Sequence, residues 1–188
     1  MAIVAALARN GNGDPVDKSY TTASGTSTAT PHVAGAAALL ALRRPASRGA
    51  ELKSTLVSSA TPLVFDAHYV GAGRLDVGRA IKQTVVAVEN SLNLGTQRWP
   101  HDDDKPVSGT VTYRNTGSAP VTLNLAVSGA PYSVEQKETT LQAGGTGTVR
   151  VTADTRTGPD GQLAGRLPAT TGEVRVITPL AVHKEVES

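Results

Sequence analysis

The hydrophobic period of this 188-residue chain changes near residue 85, and that change limits the folds open to it. Before it, apolar residues recur as they do on helices. The run from Val33 to Arg44 predicts one helix, stopped by Pro45, whose ring cannot continue it. Ser47 is placed to cap a second helix with Leu52, Leu56, Val57 and Ala60 on one face, ended by Thr61-Pro62. The first helix is apolar nearly all round, the pattern of a helix buried inside a larger domain. Roughly 80 residues with two helices cannot cover it on every side. Met1 to Arg9 has no basic start and only about seven apolar residues in a row, at the bottom of the range for a secretory leader, so it reads as a buried strand or strand-to-loop segment. Asp14, Asp17 and Lys18 read as a polar loop before a strand over Ser19 to Ala23.

After a linker from Gln83 to Pro106 the period becomes two. Val121, Leu123, Leu125 and Val127 alternate with polar residues until Gly129-Ala-Pro131 breaks the strand. Asn115-Thr-Gly-Ser118 and Gly158-Pro-Asp-Gly161 mark turns, Gly144-Gly145 leads into Thr148 to Thr152, and Val174, Val176 and Leu180 mark the end. Short strands with turn signals at intervals of about ten residues predict an all-β antiparallel sandwich.

Composition narrows the function. With 39% hydrophobic residues but one Phe, one Trp and four Tyr, any core is aliphatic. A net charge of +2, with no long basic run and few aromatics to stack on bases, argues against a nucleic-acid partner. No stretch reaches the roughly 18 apolar residues of a membrane span. Without cysteine there are neither disulfides nor thiolate metal sites, and nothing follows about location.

The chemistry concentrates in Ser24-Gly-Thr-Ser-Thr-Ala-Thr-Pro-His-Val-Ala-Gly35. Ser27 follows Gly25-Thr26 at a turn running into the first helix. Such a turn presents a hydroxyl without bulky neighbours, beside N–H groups able to receive developing negative charge. Pro31 suits only a first helical turn, which puts Ser27 at the helix N-terminus. The run resembles the serine motif of the subtilisin-like serine proteases, G-T-S-M-A-S/T-P-H-V-A-G, departing from it at Thr28, where the family usually has Met. Gly71-Ala-Gly-Arg-Leu-Asp76 resembles the G-x-G-x-L/V-N/D segment that ends many of those catalytic domains.

The resemblance implies a serine endopeptidase of α/β fold, of which residues 1–84 would be a C-terminal, mainly helical portion. Residues 85–106 would be a linker and first strand region, and 107–188 a fibronectin-III-like sandwich of the kind that follows such domains in some exported proteases. It implies acyl transfer: Ser27 attacks the scissile carbonyl, its backbone N–H helps hold the oxyanion, and water releases the acyl-enzyme. It implies a polypeptide substrate, an extracellular location and no cofactor or metal among these residues.

The family's Asp and His precede its serine. Only 26 residues precede Ser27, and they contain no histidine. The D-S/T-G and H-G-T-x-V-A motifs are absent, and Asn10 and Asn12 lack the context of the family's oxyanion-donating Asn. His32 lies five positions after Ser27, about 500° and about 7.5 Å along a helix, so the two point apart. His68, His101 and His183 are not expected to serve as the base. His101-Asp102-Asp103-Asp104 reads as a solvated linker rather than a cation site, which needs spaced oxygen ligands and a Gly turn. In subtilisin, loss of the base costs about 10⁶ in turnover, or about 8 kcal/mol. The chain alone is therefore expected to be inert, and active only when completed by a part bearing Asp, His and Asn, contiguous or in trans. The competing expectation is an inert binding or structural module in which the sandwich is the working part.

Overall fold

The computed structural model describes residues 3–7, 14–17, 19–172 and 174–187. It opens with a small antiparallel sheet: β1 (Ile3–Ala6) and β2 (Asp14–Pro15) flank β3 (Tyr20–Ala23). β1 is not the buried strand its apolar run suggests, since Val4 and both alanines after it are exposed. The Asp17 carboxylate accepts the Ser19 and Tyr20 N–H groups at 2.6 and 3.0 Å and so closes the turn into β3. Lys18, Asn10 and Asn12 lie outside the described residues.

α1 (Thr26–Arg43) begins after Gly25, whose φ of 140° suits glycine. Ala36 and Leu40 are its buried residues, packed on Leu56 of α2 (Gly49–Ser58) and on Ala80. α2 starts one residue later than a Ser47 cap would give: the Arg48 N–H donates to the Glu51 carboxylate at 3.1 Å, half of a capping box. After α3 (Ala67–Val70), Gly73 lies against the Thr61–Arg74 bridge, where a Cβ would stand 2.1 Å from the Thr61 carbonyl oxygen. Asp76 then caps α4 (Val77–Lys82), accepting the Arg79 N–H at 3.0 Å and the Thr61 hydroxyl at 2.9 Å. These bonds hold the Asp76 carboxyl below the usual range, the Arg79 N–H contributing most.

The remaining strands form two facing sheets. β4 (Val85–Ala87) and β6 (Val107–Asn115) join β8 (Tyr132–Val134) and β10 (Thr146–Ala153) in the order β4-β6-β10-β8. β5 (Leu92–Gln97), β7 (Val121–Leu125), β9 (Glu138–Leu141), β11 (Gly161–Thr171) and β12 (Val174–Lys184) form the order β5-β12-β11-β7-β9. The core between them is aliphatic with two tyrosines: Leu123 and Leu125 face Val149 and Val151, with Tyr113 and Tyr132 buried among them. Asn115, itself buried, holds the β6–β7 turn by donating to the Ala119 carbonyl at 2.8 Å and accepting the Gly117 N–H at 2.9 Å.

The expected class, a mainly helical α/β portion followed by a purely antiparallel sandwich, is overturned. The chain is mostly β, 41% strand against 22% helix. Residues 85–106 contribute two strands, and β5 runs parallel to β12. The physical reason is the crossing of the chain from β4 to the opposite sheet: β5 arrives beside the C-terminal strand and takes its direction from that crossing. β11 buries alternate residues at Gly165, Leu167 and Ala169, although Gly161, Gly165 and Pro168 obscure that period in the sequence. Eleven paired positions with β12 form the strand nonetheless.

Helices and sandwich are tied together by hydrogen bonds. β4 is an edge strand, and its outer edge is covered: Gln83 donates to the Val85 carbonyl at 2.7 Å, and the Ser58 hydroxyl accepts the Ala87 N–H at 2.9 Å. Arg44 donates to the Gln83 carbonyl at 2.6 Å, Arg79 to the Arg175 carbonyl at 2.9 Å, and Arg166 to the Phe65 carbonyl.

Candidate nucleophile site

Ser27 is the second residue of α1 and is exposed. The first N–H groups of any helix lack intrahelical acceptors. Here no side chain caps them from Gly25, and the first turn holds no acid to neutralise them. The positive end of an 18-residue helix therefore faces outward beside the Ser27 hydroxyl.

Thr28, which replaces the family's Met, turns its hydroxyl back to the Gly25 carbonyl at 2.6 Å. The same carbonyl accepts the N–H groups of Thr28 and Ala29. Pro31 lies inside the second turn of α1, not the first as its ring chemistry suggests. Its missing N–H is the one that would have bonded the Ser27 carbonyl, which therefore has no partner at the i+4 position of its own helix.

Proton acceptors lie elsewhere. The His32 ring folds onto its own helix, Nδ1–H donating to the Thr28 carbonyl at 3.1 Å. His68 is the second residue of α3 and His183 lies on β12. Among the described residues, neither an imidazole nor a carboxylate is recorded within hydrogen-bond distance of Ser27. The chain does hold an Asp–His pair, but on the sandwich. His101 is buried, its Nδ1 2.9 Å from Asp104 and its Nε2 2.8 Å from the Glu185 carbonyl. The solvated linker expected at 101–104 is thus corrected: Asp104 points inward because His101 and the Thr155 hydroxyl, at 2.9 Å, satisfy it. The His–Asp spacing of three was the available signal; the distant acceptor at Glu185 was not legible. No cluster of three or more metal-ligating side chains occurs among the described residues.

The α1 surface is open where its apolar pattern predicts burial. Val33 is 47%, Leu39 52% and Leu42 80% exposed, while Leu40 is fully buried. A cavity of about 820 Å³ opens between α2 and β4, lined by Arg44, Lys53, Val86 and Arg114 among others. Neither Ser27 nor a histidine lines it.

Among solved structures, the chain is similar to the Pseudomonas aeruginosa CupB2 chaperone (15% identity, TM-score 0.42), covering 53% of this chain and 55% of that one. It is also similar to a PapD-like domain of human CEP192 (12%, TM-score 0.40), over 56% and 88% of the two chains. A FixG-related protein from Vibrio parahaemolyticus is similar at 15% identity and TM-score 0.39, over 54% and 94%. Likenesses this distant carry no conclusion about fold or function. Among curated proteins, subtilisin DY of Bacillus licheniformis is 44% identical over 61 residues, which is 32% of this chain. The chain spans 22% of that relative's length. The Subtilase family model matches residues 5–121, a span that holds Ser27, the Gly71–Asp76 segment and strands β4 to β6. With most of its length matched, and with the serine turn at the head of α1, the chain belongs to the subtilase family of peptidases.

Proposed function

We propose that this chain carries the nucleophile of a subtilisin-like serine endopeptidase and hydrolyses peptide bonds only when a segment bearing Asp, His and Asn completes it. Ser27 is the nucleophile in this reading, and the outward N–H groups of the α1 first turn help hold the oxyanion. The observation that carries it is the exposed Ser27 at an uncapped, acid-free helix start, on a chain whose imidazoles are bonded or placed elsewhere. Residues 1–84 are then the C-terminal portion of the peptidase domain. The sandwich is an accessory domain of the fibronectin-III-like kind, a reading supported by its strand-and-turn architecture and its place after the peptidase portion. An extracellular site of action follows from the family and from no residue here. The open α1 face, with Leu39 and Leu42 half or more exposed, is where the completing segment docks.

The test mixes the chain with a fragment of a subtilase that carries the Asp, His and Asn motifs. Labelling by a fluorophosphonate and hydrolysis of a peptide substrate are measured with and without Ser27→Ala. Alone, the chain stays unlabelled; with the fragment, Ser27 labels and the alanine variant does not. No labelling in the mixture, with the fragment shown to be bound, returns the chain to the inert-module reading. That second reading is favoured by one observation: the larger hydrophobic core belongs to the sandwich, not to the helices.

A further inference from the structure

The C-terminal end of β12 is held at four points by the loop that precedes β6 and by its neighbours. The Glu185 N–H donates to the Gln97 carbonyl at 2.9 Å, and the Glu185 carboxylate accepts the Trp99 N–H at 3.1 Å. Lys184, buried, bonds Asp160 and the Gly158 carbonyl, both at 3.0 Å. The fourth point is His101, between the Asp104 carboxylate and the Glu185 carbonyl.

Both partners of the His101 ring are acceptors. A neutral imidazole has one N–H and one lone pair, so it satisfies one of them and repels the other; the imidazolium satisfies both. We propose that the His101 imidazolium is a proton-operated clasp that pins the end of β12 to the 98–104 loop and releases it on deprotonation.

The carboxylate of Asp104 retains the proton on Nδ1, because a charge-assisted bond is the stronger of the two. Nε2 therefore loses its proton to solvent and turns a lone pair toward the Glu185 carbonyl oxygen. The groups facing the ring fit this order. Asp104 lies on its own loop with Asp102, Asp103 and Lys105 flanking, and the neutral Thr155 hydroxyl shares Asp104. Lys184 ends β12 and Glu185 follows it; the Lys184 ammonium is paired with Asp160, and the Glu185 carboxylate accepts the Trp99 backbone N–H. Asp154, beside Thr155, is taken up by Arg156 at 2.5 Å. The Glu185 carbonyl first, and Asp104 after it, hold the His101 pKa above its usual value against the opposing effects of burial and of Lys184. A raised pKa means that the clasp is fully closed below about pH 6.5 and opens as pH rises through the folded-state value.

The test uses the full chain, ¹⁵N-labelled, between about pH 5.5 and 9. The ring nitrogens of His101 are read by NMR, and amide protection at Glu185 and Trp99 is read after correction for base-catalysed exchange. Expected is a doubly protonated ring that persists above the ordinary histidine range, with protection at both amides falling about tenfold as it titrates. His101→Gln removes the step and leaves low protection at every pH; Asp104→Asn moves it to lower pH. A neutral ring across the whole range, or a Gln variant with the wild-type profile, overturns the proposal. The wild-type titration alone decides the matter should either variant fail to fold.

Discussion

Leu40 and Leu42 stand two residues apart on α1, and substituting each separates what holds the chain together from what its surface offers a partner. Leu40 is fully buried in a cluster with Ala36, Leu56 and Ala80. Leu40→Ala removes its methyl groups from a site too small to refill the space, at a cost of about 2–5 kcal/mol. Leu42 is 80% exposed. Full burial of a leucine side chain contributes about 1.5–3 kcal/mol, so a fifth of it, about 0.5 kcal/mol, is what Leu42→Lys can lose. Urea unfolding followed by far-UV circular dichroism reports the helices, and Trp99 fluorescence reports the sandwich. The Leu40 variant should lower the helical transition clearly, while the Leu42 variant stays within about 0.5 kcal/mol of the parent. In the mixture with a completing fragment, Leu39→Lys combined with Leu42→Lys should abolish the labelling of Ser27. Were Leu42→Lys as damaging as Leu40→Ala, the α1 face would already be covered in the chain alone. Undiminished labelling would show that the fragment docks elsewhere. Either result refutes the reasoning.

Gly73→Ala should cost about 3 kcal/mol in the same helical transition, because the new Cβ meets the Thr61 carbonyl oxygen at 2.1 Å and φ is +129°; a neutral substitution would mean the Thr61–Arg74 bridge does not persist in solution. Two of the four tyrosines should ionise only with unfolding: burial pushes the Tyr113 phenol up to about 12 and raises Tyr132 as well. The neutral ring is the favoured form in the fold, so this stability is complete below about pH 10 and falls as pH rises toward the folded-state value. Absorbance at the phenolate band, recorded alongside circular dichroism, checks it; ionisation of all four before unfolding would contradict it. Asp76 gives the opposite sign. Its lowered carboxyl contributes above the usual carboxylate range and is lost as pH falls through the folded-state value, which should melt the α4 cap first in acid.

The parts of the fold legible from residues alone were those governed by neighbours a few positions away. Alternation in β7 marked Leu123 and Leu125, both buried. Gly25 before a run of helix formers marked the turn that carries Ser27, whereas the Asp76 cap of α4 was not read from the Gly71–Asp76 segment. Pro31 misled by a turn, since the helix extends back to Thr26 and tolerates the ring in its second turn. The apolar pattern of α1 misled in the other direction. Periodicity records what a helix could bury, whereas exposure at Val33, Leu39 and Leu42 depends on which surfaces are present to cover it.

What residue order determined by itself is local and chemical: a serine at a glycine-led helix start, no histidine among residues 1–26, and strands whose faces alternate. Only the tertiary structure decided that β5 lies parallel to β12, that the edge of β4 is closed by Ser58 and Gln83, and that His101 reaches a carbonyl 84 positions away. Turn and capping energies act within a few residues and can be read along the chain. Pairing between distant segments is selected by the packing of the whole core, because loop closure costs little more for a long loop than for a short one.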